Sequence, residues 1–284
     1  MTDSDKMIAF QGAMGAYSDL ACRAAYPDWA TLPCHTFEET FAAVTGGKAA
    51  LAMIPIDNTV AGRVADIHHL LPGSNLHIIG EHFQRVDHHL LALPGTKIEE
   101  LTHVHSHVHA LPQCRKIIAE LGLKTEVYAD TAGGAKMIAE RGDKHHAAIA
   151  SELAGQIYGL ESLRANIEDL EHNTTRFLIM APEADFPAPD DRDWVTSFVF
   201  KVRNVPAALF KAMGGFATNG VNMTKLESYM VGGSFTATQF YAEIDGQPAD
   251  KSVALALEEL GFFTSYVKVL GVFPASPYRK QHIS

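Results

Sequence analysis

Cysteine is scarce: three residues in 284, Cys22, Cys34 and Cys114, at irregular spacing and without a CxxC pair. This argues against zinc ribbons and disulfide-stapled scaffolds. Free thiols suit a reducing compartment, so a cytoplasmic location is expected. No run of about 18 apolar residues occurs, which leaves no candidate membrane span and no membrane partner. The opening MTDSDKMIAF is acidic and lacks a basic start followed by an apolar stretch, so no secretory signal is expected. Positive charge is in deficit, with 23 Lys and Arg against 33 Asp and Glu and a formal net charge of −10. Nucleic acid requires a basic patch and is not an expected partner. A small anion remains possible, because a few placed cations or helix ends hold one locally. GxxxxGK[ST] is missing and GAMGAYS is a poor GxGxxG, which disfavours a nucleotide and leaves a small carboxylate preferred.

What is present is ordinary globular composition, 47% hydrophobic and 20% charged, in a length that predicts about two domains. The segment PEADFPAPDDRD, 182–193, carries three prolines and five acids and reads as a linker. It divides a first domain, 7–181, from a second, 194–274. The first domain repeats a short apolar run followed by an amphipathic one. MIAFQG leads into AMGAYSDLACRAAY, ALAMIPID into NTVAGRVADIHHLL, THVHSH into VHALPQCRKIIAELG, TEVYAD into TAGGAKMIAERG, and AAIAS into ELAGQIYGL. Alternating strand and helix signals predict an α/β fold with a parallel sheet, either one large sheet or two lobes around a cleft. The second domain reads βαββαβ, a ferredoxin-like order, with a hairpin turn at Gly232-Gly233.

Several strand-to-helix junctions carry glycine, a hydroxyl or an amide: Gly12, Gly15 and Ser18; Asn58 and Thr59; Ser106; Thr131, Gly133 and Gly134; Ser151. Each alone is a good helix cap. Together they would place helix N-termini around one crevice beyond the strand ends, where free N–H groups bind an anion. The run NTTRFLIM sets Thr174, Thr175 and Arg176 before an apolar strand. His103, His105, His107 and His109 alternate like a metal ladder, but no carboxylate or cysteine set accompanies them at ligand spacing, and a turn near His107 would break it, so no metal is assigned. The pairs His68-His69, His88-His89 and His145-His146 read as helix ends or solvated surface.

With these motifs the chain resembles the prephenate dehydratases that end in an ACT domain. The matching runs are AFQGAMGAYS, IPIDNTVAGRV, SHVHALPQC, DTAGGAK, AAIAS, YGL and NTTRF, in the family's order and spacing over nearly the whole chain. The resemblance implies a catalytic domain like a two-lobed periplasmic binding protein, and conversion of prephenate to phenylpyruvate, water and carbon dioxide with no cofactor or metal. It maps catalytic positions onto Thr175, Arg176, Asn58 and Gln113, and substrate-binding positions onto Ser18, Thr59, Ser106, Thr131 and Phe177. Asp57 departs from the family, which carries glutamate before the asparagine. The ACT resemblance implies feedback by L-phenylalanine at a subunit interface of a homodimer or homotetramer. Its effector positions map onto Ala208, Leu209, Asn219, Val221, Asn222, Glu227 and Ser228. The family's G-A-L run appears as Ala207-Ala208-Leu209, and E-S-R-P as Glu227-Ser228-Tyr229-Met230.

Electrostatics adds an expectation. A carboxylate clamped by arginine resists decarboxylation, so Arg176 is expected to hold the pyruvyl carboxylate, with the ring carboxylate in a drier place near Phe177. Thr175 is expected to donate a hydrogen bond to the departing hydroxyl. An arogenate dehydratase, or a non-catalytic small-molecule sensor, are the alternatives.

Overall fold

The computed structural model describes residues 3–64, 67–184, 190, 192–230 and 237–281. In chain order the elements begin with β1 (Met7–Gln11), α1 (Tyr17–Ala25), β2 (Ala30–Cys34), α2 (Phe37–Thr45), β3 (Leu51–Asn58), β4 (Gly62–Arg63), α3 (Ile67–Leu70) and β5 (His77–Arg85). There follow β6 (His89–Ala92), β7 (His103–His107), α4 (Arg115–Glu120), β8 (Lys124–Tyr128), α5 (Thr131–Arg141), β9 (His146–Ala150), α6 (Glu152–Tyr158), β10 (Glu161–Arg164) and β11 (Thr174–Ala181). The chain ends with β12 (Trp194–Val202), α7 (Ala208–Thr218), β13 (Met223–Met230), β14 (Ala237–Asp245), α8 (Lys251–Phe263), β15 (Thr264–Pro274) and α9 (Tyr278–Gln281). Contacts divide it into two units.

The first unit comprises Met1–Val64 and His82–Leu178. It holds two sheets. One runs β11-β3-β1-β2, with β4 paired to β3. β1 lies parallel to both β2 and β3, with Ile8 opposite Thr31 and Leu51. Ile8, Ala9, Phe10, Ala52, Met53 and Ile54 are fully buried. Central parallel strands covered on both faces read as continuous apolar runs, as these do. The other sheet runs β10-β6-β9-β7-β8, parallel along β9-β7-β8 and antiparallel where β6 meets β9 and β10. Its core is Leu90, Val104, Ile117, Ala147 and Ile149.

Two segments differ from the alternating pattern. After β3 a turn and a short hairpin take the place of the first part of the expected helix, and α3 is what remains of it. The Asn58 side-chain carbonyl accepts the N–H groups of Val60 and Ala61, at 2.9 and 2.7 Å. Gly62 then takes φ +82°, and Gly62 and Arg63 pair back on Asn58 and Asp57. An asparagine that satisfies the backbone two and three residues on competes with helix formation. After β7, the 3-10 turn Leu111–Gln113 precedes a helix of six residues, α4. Ser106 therefore lies within a strand and not at a helix start. Strands β5, β6 and β10 carry mixed polar and apolar residues that the pattern does not mark.

The second unit comprises Ala65–Glu81 and Ile179–Ser284; the sequence reading leaves the 65–81 stretch in the first domain. From Trp194 to Pro274 the order is βαββαβ, and the sheet runs β13-β14-β12-β15-β5. β12 is antiparallel to β14 and to β15. Phe198, Phe200, Phe240 and Ile244 of the strands share one core with Phe216 of α7 and Leu260 of α8. β15 reaches β5 at Gly271, opposite Ile78, where any Cβ would collide with the Ile78 carbonyl. The buried carboxylates Glu81 and Glu243 share Arg279 at 2.7 and 3.0 Å, which ties the C-terminal segment down. The Gly232-Gly233 turn and part of the 182–193 linker lie outside the described residues.

Candidate active site

β3 ends on Asn58 and its sheet neighbour β11 starts on Thr174. This brings Asn58 Nδ2 to 2.9 Å from Thr175 Oγ1 and to 2.9 Å from Asn173 Oδ1. Asn173 Nδ2 in turn donates to Gln113 Oε1 at 2.6 Å. Gln113 arrives from the second sheet, on the 3-10 turn after β7. His88, just before β6, places Nε2 3.1 Å from the same Gln113 oxygen. Its Nδ1 lies 2.9 Å from the Tyr17 hydroxyl, and its backbone N–H donates to Glu168. Both sheets of the unit thus contribute to one chain of polar side chains.

The environment is dry. Asn173 and His88 are 1% and 2% exposed. Burial lowers the His88 imidazole pKa, favouring the neutral ring, and raises the Tyr17 phenol well above its ordinary value, so Tyr17 keeps its proton. The Tyr17 hydroxyl oxygen lies 2.6 Å from the Asp87 carbonyl and 2.9 Å from His88 Nδ1, so its one proton serves one of these two acceptors.

Asn58 Oδ1 is committed to two backbone N–H groups, so the side-chain nitrogen is what faces Thr175. Thr175 Oγ1 is therefore an acceptor toward Asn58, and its own proton is left for another partner. Among the described residues no protein acceptor takes that proton, nor does one take the Gln113 Nε2 hydrogens. An amide and a hydroxyl are offered as donors, the inventory expected of a site for an anionic substrate.

Arg176 is placed differently from the expectation. Side chains alternate along a strand, so Arg176 points to the opposite face of β11 from Thr175. Its guanidinium lies 3.8 Å from Asp57 and 5.9 Å above the Phe83 ring, and it is 8% exposed. A clamp on a substrate carboxylate beside Thr175 does not follow from this position; a brace between β3 and β11 does. Phe177 shares the Thr175 face and is fully buried in the core. The Thr59 hydroxyl donates to the His172 carbonyl and accepts the Thr174 N–H, tying the turn after β3 to the start of β11. The Ser106 hydroxyl donates to the Ile149 carbonyl at 2.6 Å. Ser18 lies in α1 and Thr131 opens α5, capped by Asp130; neither side chain joins the Asn58–Thr175 cluster among the described residues. Ser151 caps α6 and also donates to the Gly15 carbonyl.

The sequence does not single out Asn173, His88, Tyr17 or Glu168. Asn173 heads the NTTRF run, and that adjacency was the one available signal. His88 reads as half of a surface pair until the fold buries it.

In the second unit, Ala208 and Leu209 line a cavity of about 290 Å³ with Arg203, Asn204, Val205 and Phe240. Ala207, which also lines it, holds φ +61°, a left-handed conformation that favours glycine. Asn219 bonds Glu259 and Asn222 bonds Asp245, while Glu227 meets Lys225. These three, with Val221 and Ser228, are not among that cavity's lining residues. Among the described residues no group of three or more His, Cys, Asp or Glu side chains is arranged to hold a metal ion, and no helix is long and apolar enough to cross a membrane.

Comparison with known proteins gives the following. A family model described as prephenate dehydratase matches residues 8–185. A bifunctional N-acyl-homoserine lactone acylase/prephenate dehydratase of Komagataeibacter europaeus is 52% identical over 279 residues, 98% of this chain and 99% of that one. The chloroplastic arogenate dehydratase/prephenate dehydratase 2 of Arabidopsis thaliana is 39% identical over 276 residues, 94% of this chain and 72% of that one. Among solved structures, the prephenate dehydratase of Arthrobacter aurescens in complex with L-Phe superposes with a TM-score of 0.85 at 28% identity, covering 95% and 92% of the two chains.

Proposed function

The chain belongs to the prephenate dehydratase family, and from that premise we propose that it converts prephenate to phenylpyruvate, with Thr175 as the proton donor to the leaving hydroxyl. The observation that carries this reading is the Asn58–Thr175 hydrogen bond, which occupies the threonine oxygen and leaves its proton available. In the reaction the ring carboxylate leaves as carbon dioxide. The electron pair of the broken C–C bond moves through the ring, which becomes aromatic, and expels the hydroxyl group. That group takes a proton and departs as water. One proton from solvent is consumed overall, and Thr175 regains its own.

A threonine hydroxyl is a weak acid, so it assists late and by hydrogen bonding; such assistance gives roughly 10²–10⁴-fold. Orientation by fixed dipoles supplies the rest. Gln113 Nε2 is assigned to a substrate carboxylate or carbonyl. Thr175→Ala is expected to lower kcat by at least about 10²-fold with little change in KM, followed by ultraviolet detection of phenylpyruvate. Near-normal turnover removes Thr175 from the mechanism.

Arogenate differs from prephenate by an amino acid side chain in place of the pyruvyl group. Plant relatives carry arogenate dehydratase in their names, and kcat/KM for the two substrates decides the preference. A second activity is suggested by the name of the 52% identical relative, acylase/prephenate dehydratase. Release of homoserine lactone from an N-acyl derivative tests it, and Thr175→Ala tells whether it uses the same site.

The second unit is assigned the regulatory role of an ACT domain, with L-phenylalanine as effector and a homo-oligomer as the working state. Its βαββαβ order, the cavity at Ala208 and Leu209, and the likeness to a structure in complex with L-Phe support this. Exposed Phe210 and Phe262 on the same unit suit a subunit contact. Calorimetry showing no heat with phenylalanine removes the effector, and light scattering at the monomer mass removes the oligomer.

A further inference from the structure

His88 has no role in the reaction as proposed above, yet it closes a hydrogen-bond chain whose direction is set by two groups that can only donate. The Val60 and Ala61 backbone N–H groups both point at the Asn58 side chain. The atom they meet must be the carbonyl oxygen, so Asn58 Nδ2 is the donor to Asn173. The Asn173 atom receiving that donor must be Oδ1, which makes Nδ2 the atom facing Gln113. The Gln113 atom receiving Asn173 must then be Oε1, which is also the atom 3.1 Å from His88 Nε2. An oxygen with no hydrogen can only accept, so His88 Nε2 carries a proton. Each amide orientation follows from the one before it, beginning with backbone geometry.

The consequence falls on the substrate side. With Asn173 and His88 both donating to Gln113 Oε1, the Gln113 Nε2 hydrogens are turned away from the chain and have no protein acceptor among the described residues. A flipped Gln113 would set an NH2 group against the Asn173 Nδ2 donor. We infer that His88 is a positioning residue for this site: its Nε2–H pins Gln113 Oε1 and so keeps the Gln113 amide nitrogen presented to an anionic substrate. The role rests on the dehydratase reading of the Thr175 site. On the other edge Tyr17 reaches Nδ1, and Glu168 accepts the His88 backbone N–H. With Nε2 protonated and the ring neutral, the Tyr17 proton is directed at Nδ1; given instead to the Asp87 carbonyl, 2.6 Å away, it would require a second ring proton on Nδ1.

The first test needs no variant. Nitrogen NMR of the full chain labelled on the histidine ring, at about pH 8 where an imidazole with an ordinary or lowered pKa is neutral, reports which ring nitrogen holds the proton. The resonance is assigned by its loss in His88→Gln. A protonated Nε2 is expected, and a doubly protonated ring meets the same requirement. A bare Nε2 overturns the inference.

The second test is kinetic. His88→Ala is expected to lower kcat/KM for prephenate by about 10- to 100-fold, the scale of one buried donor lost from an amide. His88→Gln, which carries an N–H at a similar reach, is expected to recover the greater part of that loss. A purely structural role would lower the melting temperature of both variants without this ordering of rates. Wild-type rates in both variants, or a glutamine no better than alanine, overturn it. If the wild-type chain fails to turn over prephenate, the functional reading falls, and the ring tautomer still reports on the chain of hydrogen bonds.

Discussion

At Asn58 the two ends of one side chain do different jobs. Its oxygen holds the turn after β3, and its nitrogen donates to Thr175 and to Asn173. Asn58→Asp keeps an oxygen for the turn but replaces the donor by an acceptor. The Thr175 proton then turns toward the new carboxylate and away from the substrate. The expected outcome is a kcat loss on the order of 10²-fold, together with a lowered melting temperature, because the new carboxylate also meets the buried Asn173 Oδ1; a retained kcat would show that the Thr175 proton is not the one transferred. Arg176→Lys tests the opposite face of the same strand. The pair with Asp57 loses its planar fork, so about 1–3 kcal/mol of stability should disappear in a denaturant titration while KM changes little. A large rise in KM at unchanged stability would return Arg176 to the substrate. Asn58 and the NTTRF run were legible as polar residues at strand ends, whereas Gln113 was marked only through the family resemblance. The side of the strand taken by Arg176 follows from alternation, once the exact start of β11 is known. His88 and Tyr17 were illegible because only the packed fold buries them.

At the scale of elements, the junction between α1 and α6 shows what the caps do. The sequence marks Gly15 and Ser151 as helix-start residues. In the structure Ser151 does cap α6, and its hydroxyl also donates to the Gly15 carbonyl, joining segments far apart in sequence. Gly15 holds φ +86°, and a Cβ there would lie 2.7 Å from the Ala154 Cα. Both effects act against any side chain, so Gly15→Ala should cost about 1–3 kcal/mol, read as a lower midpoint in thermal unfolding; an unchanged midpoint would mean that α6 gives way freely. The strands β1, β3, β9 and β12 were readable as dense apolar runs. β5, with His77, Glu81, His82, Gln84 and Arg85 among its nine residues, was not, since its periodicity is mixed. The helix expected after β3 is shortened for a local reason: Asn58 and Gly62 favour a turn over its first residues and leave only α3, Ile67–Leu70, helical.

For the whole molecule the acid side of the pH scale is where stability should be lost. Burial lowers the imidazole pKa of His82, His88, His105, His107 and His146. Each binds fewer protons folded than unfolded between its folded value and the unfolded value of about 6.5. Stability therefore rises with pH across that window, is complete above it, and falls as pH drops toward the folded values. His105 and His146 show why protonation is resisted. His105 Nε2 lies 2.8 Å from His146 Nδ1, a contact that needs one proton between two nitrogens. His103 stacks on His146 and Arg141 adds positive charge, while Glu126 beside His105 and Asp143 beside His146 offset part of it. A second proton in that gap would set two N–H donors face to face. The melting temperature should thus fall steadily from about pH 7 to pH 5. His105→Gln, which keeps a hydrogen-bonding group but cannot titrate, should make that fall shallower while leaving the Asn58–Thr175 cluster untouched. An equal slope in the variant would show that the pair already accommodates both protons, and that the acid loss comes from elsewhere.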